Sequence, residues 1–194
     1  MEIVRIVIGI TGASGVIYGI TLLENLHEQK FLIISESGKD IIRRETKYTL
    51  EDLKSMAVYY EDCQMDAPLS SGSFLFDSMV IVPCSVSTLS KIASGIADTL
   101  ITRCACVALK ERRKLILVPR ETPLSSVHLQ NMASLSLQGA IILPAMPAFY
   151  HSPQSVDDLV IFIVGKIMDQ LHREHDLFER WNGRNVSLPQ KRKI

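Results

Sequence analysis

The 194-residue chain reads as an α/β fold, a doubly wound parallel sheet flanked by helices. Three observations predict it. Short runs rich in Ile, Val and Leu recur at residues 3–10, 31–34, 79–82, 115–118 and 140–143, the pattern of strands covered on both faces. Stretches with helical spacing of apolar residues lie between them. Each run ends in a turn of glycine, hydroxyl or charged residues, and in open α/β sheets the carboxyl edge of the strands is where ligands bind.

Residues 3–10, broken only by Arg5 and Gly9, read as a central strand. They lead into Gly9-Ile10-Thr11-Gly12-Ala13-Ser14-Gly15, after which Val16, Ile17, Ile20, Leu23 and Leu26 recur with helical spacing. Small residues let a ligand approach the backbone, and a helix start offers N–H groups and a positive dipole end to a phosphate. The glycines fall at every third position, which is not the dinucleotide spacing, and a tight strand-to-helix corner explains the turn equally well. After the second strand, Ser35-Glu36-Ser37-Gly38 offers hydroxyls that cap the next helix or touch a ligand. Glu45, among Arg43, Arg44 and Lys47, reads as part of a solvated helical face. Residues 50–56 are expected to form a short helix, 58–60 a short strand and 67–73 a loop.

The run at 79–82 is expected to stop at Pro83 and pass through Cys84-Ser85-Val86-Ser87-Thr88 into a helix at Leu89 to Ile92. Gly95 to Asp98 breaks that helix, and residues 100–109 make another, carrying Arg103. Lys110 to Lys114 is a basic knot, of which Arg112 to Lys114 read as a solvated helix end. The strand at 115–118 is expected to stop at Pro119, with Pro123 in the first turn of the following helix. Between the prolines stand Arg120 and Glu121. The Arg fork suits a planar anion such as phosphate and the Glu can accept or deliver a proton. A surface ion pair is the plainer alternative. Residues 127–137 are helical and Gly139 ends them. The loop 144–153 carries Phe149 and Tyr150, and 156–171 is a long helix.

Composition narrows the function. Lys+Arg and Asp+Glu number 21 each, so the formal net charge is zero, which argues against a nucleic-acid partner and suits a chain that self-associates. No run approaches the roughly 18 apolar residues of a membrane span, and the N-terminus lacks a leader pattern, so a cytoplasmic protein is expected. Cys63, Cys84, Cys104 and Cys106 form no C-x-x-C pair, and buried thiols are the expectation. His172 and His175 have a spacing that can hold a metal, but a solvated helix end is the favoured account.

Eight segments run in order through nearly the whole chain: Thr11-Gly-Ala-Ser-Gly15, Pro83-Cys-Ser-x-x-Thr88, Ala93-Ser-Gly-Ile-Ala-Asp98, Leu109-Lys-Glu-Arg-Arg113, Val118-Pro-Arg-Glu-Thr-Pro123, His128-Leu-x-Asn-Met132, Ile142-Leu-Pro144 and Pro147-x-Phe-Tyr150. Together they resemble the flavin prenyltransferases, the UbiX-like branch of the flavoprotein decarboxylase-like superfamily. The resemblance implies one Rossmann-like or flavodoxin-like FMN-binding domain, residues 1–181, and a C-terminal tail, 182–194, expected to be flexible. It implies an enzyme that joins a dimethylallyl group from dimethylallyl phosphate to reduced FMN. The product, prenylated FMN, is handed to a UbiD-like decarboxylase. It also implies a homo-oligomer, commonly a dodecamer, with sites shared between subunits.

By the same resemblance, Gly12, Ala13, Ser14, Ser35, Ser85, Val86, Ser87, Thr88, Arg103 and Arg120 form the FMN site. Lys110, Arg120, Tyr150 and Lys166 hold the prenyl phosphate. Ser14, Glu45, Lys110, Glu121 and Trp181, the only tryptophan, take part in the chemistry. Ionising an allylic phosphate requires a stabilised leaving dianion, which Lys110, Arg120 and Lys166 can supply without a metal. The allyl cation needs a dry, electron-rich surround, to which Tyr150 and Trp181 contribute. Attack by N5 precedes ring closure at C6, and Glu121 or the departed phosphate takes the proton. Two positions depart from the pattern: Lys166 stands where many relatives have Arg, and Cys106 replaces a common acidic residue. The alternatives are an FMN-dependent cysteine decarboxylase of the same superfamily and a non-catalytic flavin-carrier subunit of a decarboxylase.

Overall fold

A computed structural model describes residues 3–181 and Gly183. Its contacts divide the chain between Ala145 and Met146 into two compact units. The first holds six parallel strands in the order β3-β2-β1-β4-β5-β6. These are β1 (Arg5–Ile10), β2 (Gln29–Ile34), β3 (Val58–Glu61), β4 (Ser78–Cys84), β5 (Lys114–Pro119) and β6 (Ile141–Ile142). The helices of this unit are α1 (Val16–Asn25), α2 (Glu36–Glu45), α3 (Leu50–Met56), α4 (Val86–Ala93), α5 (Leu100–Lys110) and α6 (Ser126–Leu137), with a 3-10 turn at Pro68–Ser70. The second unit holds α7 (Val156–Gln170). The expected flexible tail, 182–194, lies outside the described residues except for Gly183.

Strand burial explains the double winding. β4 is buried at all seven positions and β1 at five of six, so both faces of the sheet centre are covered. Register separates the faces. Val7 lies beside Phe31 and Met79, and Met79 beside Leu115, forming one face that packs on Ile101, Cys104 and Ala108 of α5. Opposite, Gly19 brings α1 so close that an added Cβ would lie 3.1 Å from the Ile10 side chain. The sheet order reverses between β1 and β4, the switch point at which doubly wound sheets open a crevice.

Several local expectations are corrected. β4 does not stop at Pro83 but runs to Cys84. Its register with β5 shifts between Ile81 and Cys84, so the missing Pro83 N–H falls at an irregularity rather than in a regular ladder. Pro123 lies outside α6. Ser125 caps that helix, its Oγ accepting from His128 N–H at 3.3 Å, and the reciprocal cap outranks the proline as a start signal. The last strand covers only Ile141–Ile142. Cys84 and Cys104 are buried, whereas Cys63 is exposed. His175 does not belong to a solvated helix end: its side chain is 3% exposed and faces Asp169 at 3.1 Å.

Candidate active site

The turns after β1, β2, β3, β4 and β5 converge with the start of α5 around a cavity of about 380 Å³. Gly12, Ala13, Ser35, Ser85, Val86, Ser87, Thr88, Arg120 and Glu121 line it, nine of the residues singled out in the sequence. Parallel pairing makes this convergence, because every strand of the unit delivers its carboxyl end to the same edge.

The helix starts supply the donors. Ser35 Oγ accepts from Gly38 N–H at 3.1 Å, and Ser85 Oγ accepts from Thr88 N–H at 3.2 Å. Each cap satisfies one N–H of its helix, so both hydroxyls cap and line the cavity at once. The first-turn residues Ser37, Val86 and Ser87 also face the cavity, which suits anion binding at the starts of α2 and α4. α5 differs. Its Leu100 N–H donates to the Asp62 carbonyl at 2.7 Å and its Ile101 N–H to Asp62 Oδ1 at 2.9 Å. That helix start is committed to Asp62, whose carboxyl burial lifts above its ordinary value despite the Ile101 N–H.

Thr11 locks the first turn to the fourth strand. It is 1% exposed; its Oγ1 donates to the Pro83 carbonyl at 2.8 Å and accepts from Ser85 N–H at 2.7 Å. Arg120 Nε donates to the Ser14 carbonyl at 3.1 Å, joining the β5 turn to the glycine turn. Glu45 is not simply part of a solvated face. From the last turn of α2 its Oε2 accepts the Gly15 N–H at 2.8 Å, just where α1 has no side-chain cap of its own. Cys84, the residue before the cavity-lining Ser85, is fully buried, and burial pushes its thiol up to about 12, away from the reactive thiolate at neutral pH.

Four predicted residues of this unit are not on the cavity wall: Ser14 and Glu45, which brace the glycine turn, and Arg103 and Lys110. Arg103 turns away and its Nε donates to the Ser70 carbonyl at 2.8 Å, fixing the 3-10 turn. Lys110 pairs with Glu111 at the far end of α5 and borders a separate hollow with Ile92, Cys106 and Leu137. Eight residues separate it from the cavity residue Thr102, about 12 Å along a helix axis. In the second unit, Tyr150 and Trp181 meet edge to face with centroids 5.6 Å apart. Lys166 lies 3.5 Å from Asp169.

Sequence reasoning missed Thr11 as a brace and Ser37, Asp62, Lys91, Thr99, Ile101 and Thr102 as lining residues. Asp62 follows β3 directly, so the strand-end rule reaches it once that strand is extended to Glu61. The Thr99 and Thr102 reciprocal cap is a local signal for the start of α5. Among the described residues, no group of three or more His, Cys, Asp or Glu side chains is placed to hold a metal ion.

The Flavoprotein family model matches residues 1–168. Flavin prenyltransferase UbiX of Thermoplasma acidophilum is 56% identical over 179 residues, spanning 91% of this chain and 99% of that protein. The chain belongs to the flavin prenyltransferase family. The crystal structure of AnUbiX (PadA1) in complex with FMN and dimethylallyl pyrophosphate superposes with a TM-score of 0.92 at 43% identity, over 95% of this chain and all of that one. A dodecameric FMN-dependent UbiX-like decarboxylase from Escherichia coli O157:H7 gives a TM-score of 0.89 at 43% identity, over 92% of this chain and all of that one. The family's flavin chemistry fits the donor set described above: hydroxyls, two helix starts and one guanidinium.

Proposed function

We propose that this flavin prenyltransferase joins the dimethylallyl group of dimethylallyl phosphate to N5 and C6 of reduced FMN, making prenylated FMN for a UbiD-like decarboxylase. The observation that carries the reading is Arg120 and Glu121 at the end of β5, on the wall of a hydroxyl-lined cavity. On this reading residues 1–181 act as one FMN-binding domain, in the cytoplasm, assembled as a homo-oligomer like the dodecameric relative. Gly12, Ala13, Ser14, Ser35, Ser85, Val86, Ser87, Thr88 and Arg120 hold FMN, with the phosphate drawn to the starts of α2 and α4. Arg103 acts from behind, by fixing the turn at Ser70.

Reduced FMN, when bound, supplies two nucleophilic ring atoms. The chain's residues do the rest. Arg120, Lys110 and Lys166 stabilise the phosphate as its C–O bond breaks and it departs with the electron pair. Tyr150 and Trp181 offer π faces to the allyl cation and exclude water from it. Alkylation at N5 releases one proton; ring closure then needs a proton delivered to the prenyl double bond and returns one from C6, and Glu121 and the departed phosphate carry these protons. Glu45 and Ser14 hold the glycine turn in the shape that receives the reactants.

The test is direct. The protein is mixed anaerobically with FMN, dithionite and dimethylallyl phosphate, and the flavin is weighed by mass spectrometry. A gain of one C5H8 unit is expected. Unmodified FMN from a protein shown to bind both ligands would leave a carrier role instead.

A further inference from the structure

The second unit contains a carboxylate that the proposed chemistry does not use. Asp169 lies on α7, one turn after Lys166, and is 20% exposed. Three cationic or ring-nitrogen groups meet it. Arg180 makes a fork, Nη2 to Oδ1 at 2.7 Å and Nη1 to Oδ2 at 3.2 Å. His175 Nε2 lies 3.1 Å from Oδ1. Lys166 Nζ stands further off, 3.5 Å from Oδ2.

The segment that brings His175 and Arg180 there is folded back along α7. His172 takes a left-handed conformation, φ 56°, and Arg173 N–H donates to the Met168 carbonyl at 2.9 Å, reversing the chain. The returning segment lies close to the helix because residue 165 is glycine. A Cβ there would sit 2.5 Å from Phe178 Cε1 and 2.8 Å from His175 Cε1. Phe178 packs on Phe162 with centroids 4.8 Å apart, and the segment ends with Trp181 against Tyr150.

We propose that Asp169 is a positioning residue: it orients Lys166 directly and, through Arg180 and His175, clamps residues 172–181 so that Trp181 stays against Tyr150. The inference rests on the roles proposed above for Lys166, Tyr150 and Trp181. The distances argue for a division of labour. Arg180 takes the short, forked contacts, which are the strong ones. Lys166 keeps only a long one, so its ammonium is aimed yet still able to bind a phosphate. One carboxylate serving two fixed cations also leaves an excess positive charge, as an anion site requires.

The only tryptophan of the chain reports on the clamp. In the full-length, FMN-loaded oligomer, Asp169→Asn is expected to raise acrylamide quenching of Trp181 and to raise KM for dimethylallyl phosphate about tenfold. FMN affinity should stay as in the wild type. Asp169→Glu is expected to restore part of both effects. Gly165→Ala displaces the segment without touching the carboxylate. It should raise quenching and lower kcat while leaving KM for dimethylallyl phosphate within about twofold of wild type. Quenching and KM unchanged in Asp169→Asn would overturn the proposal, as would a fall in melting temperature as the sole effect. If the wild type makes no prenylated flavin, the proposed function falls, while the quenching comparison still decides whether Asp169 clamps the segment.

Discussion

At the scale of single residues, the most informative side chains are those that do two things at once. Ser35 and Ser85 cap helices and face the cavity, so a change at either alters both stability and binding. Glu121 is different: its Oε1 accepts the neighbouring Thr122 N–H, and among the described residues its side chain makes no bond to another element. Glu121→Gln should therefore fold, purify yellow with FMN and lose about a hundredfold or more in prenylation rate, the usual cost of removing a positioned base. Normal turnover would hand the proton to the departing phosphate. Thr11 is the converse case, structural and unreplaceable by shape alone. Thr11→Val keeps the volume but leaves the half-buried Ser85 N–H without its acceptor. A loss of about 1–3 kcal/mol in denaturant unfolding is expected, with weaker FMN binding because Ser85 begins the cavity wall.

At the scale of elements, the strands and the turns after β1, β2, β4 and β5 were legible because each pairs an apolar run with small, hydroxyl or charged residues. β3 was half legible. Its residues are exposed or half-buried, so it shows no apolar run, and Asp62 at its end stayed hidden. The Thr11 to Ser85 bond joins residues 74 apart, a distance no local pattern spans. Pro83 misled because a proline that would end a regular ladder can sit at a register shift. α7 and its returning segment carry a pH signature. Burial lifts the Asp169 carboxyl, but the bonds from Arg180 and His175 outweigh it and hold it below the usual carboxylate range. A carboxyl depressed in the folded state contributes stability above its unfolded value of about 3.9 and loses it as pH falls through the lower folded value. Lys166, His175 and Arg180 are the groups that face it. Acrylamide quenching of Trp181 should thus stay flat from neutral pH down to about pH 4 and rise only below it. A transition centred above about pH 5 would put another group in control.

At the scale of the whole molecule, the decisive fact is that Lys110 and the cavity occupy opposite ends of α5 within one chain. A lysine side chain cannot cover the roughly 12 Å from Thr102. If Lys110 serves the proposed reaction, it does so in the site of a neighbouring copy. The zero net charge and exposed Val127, Leu129 and Leu137 on α6 favour such contacts. Mixing defective subunits tests this wherever the interface between copies lies. Lys110→Ala and Glu121→Gln are each expected to be nearly inactive alone. Co-expressed in equal amounts, they form mixed oligomers. If each site takes Lys110 from one copy and Glu121 from another, about a quarter of sites receive both wild-type residues, and activity returns in that proportion. If both residues had to come from one chain, every site would carry a defect and the mixture would stay as inactive as its parts. That outcome would return Lys110 to the role its surroundings alone suggest, a solvated residue paired with Glu111.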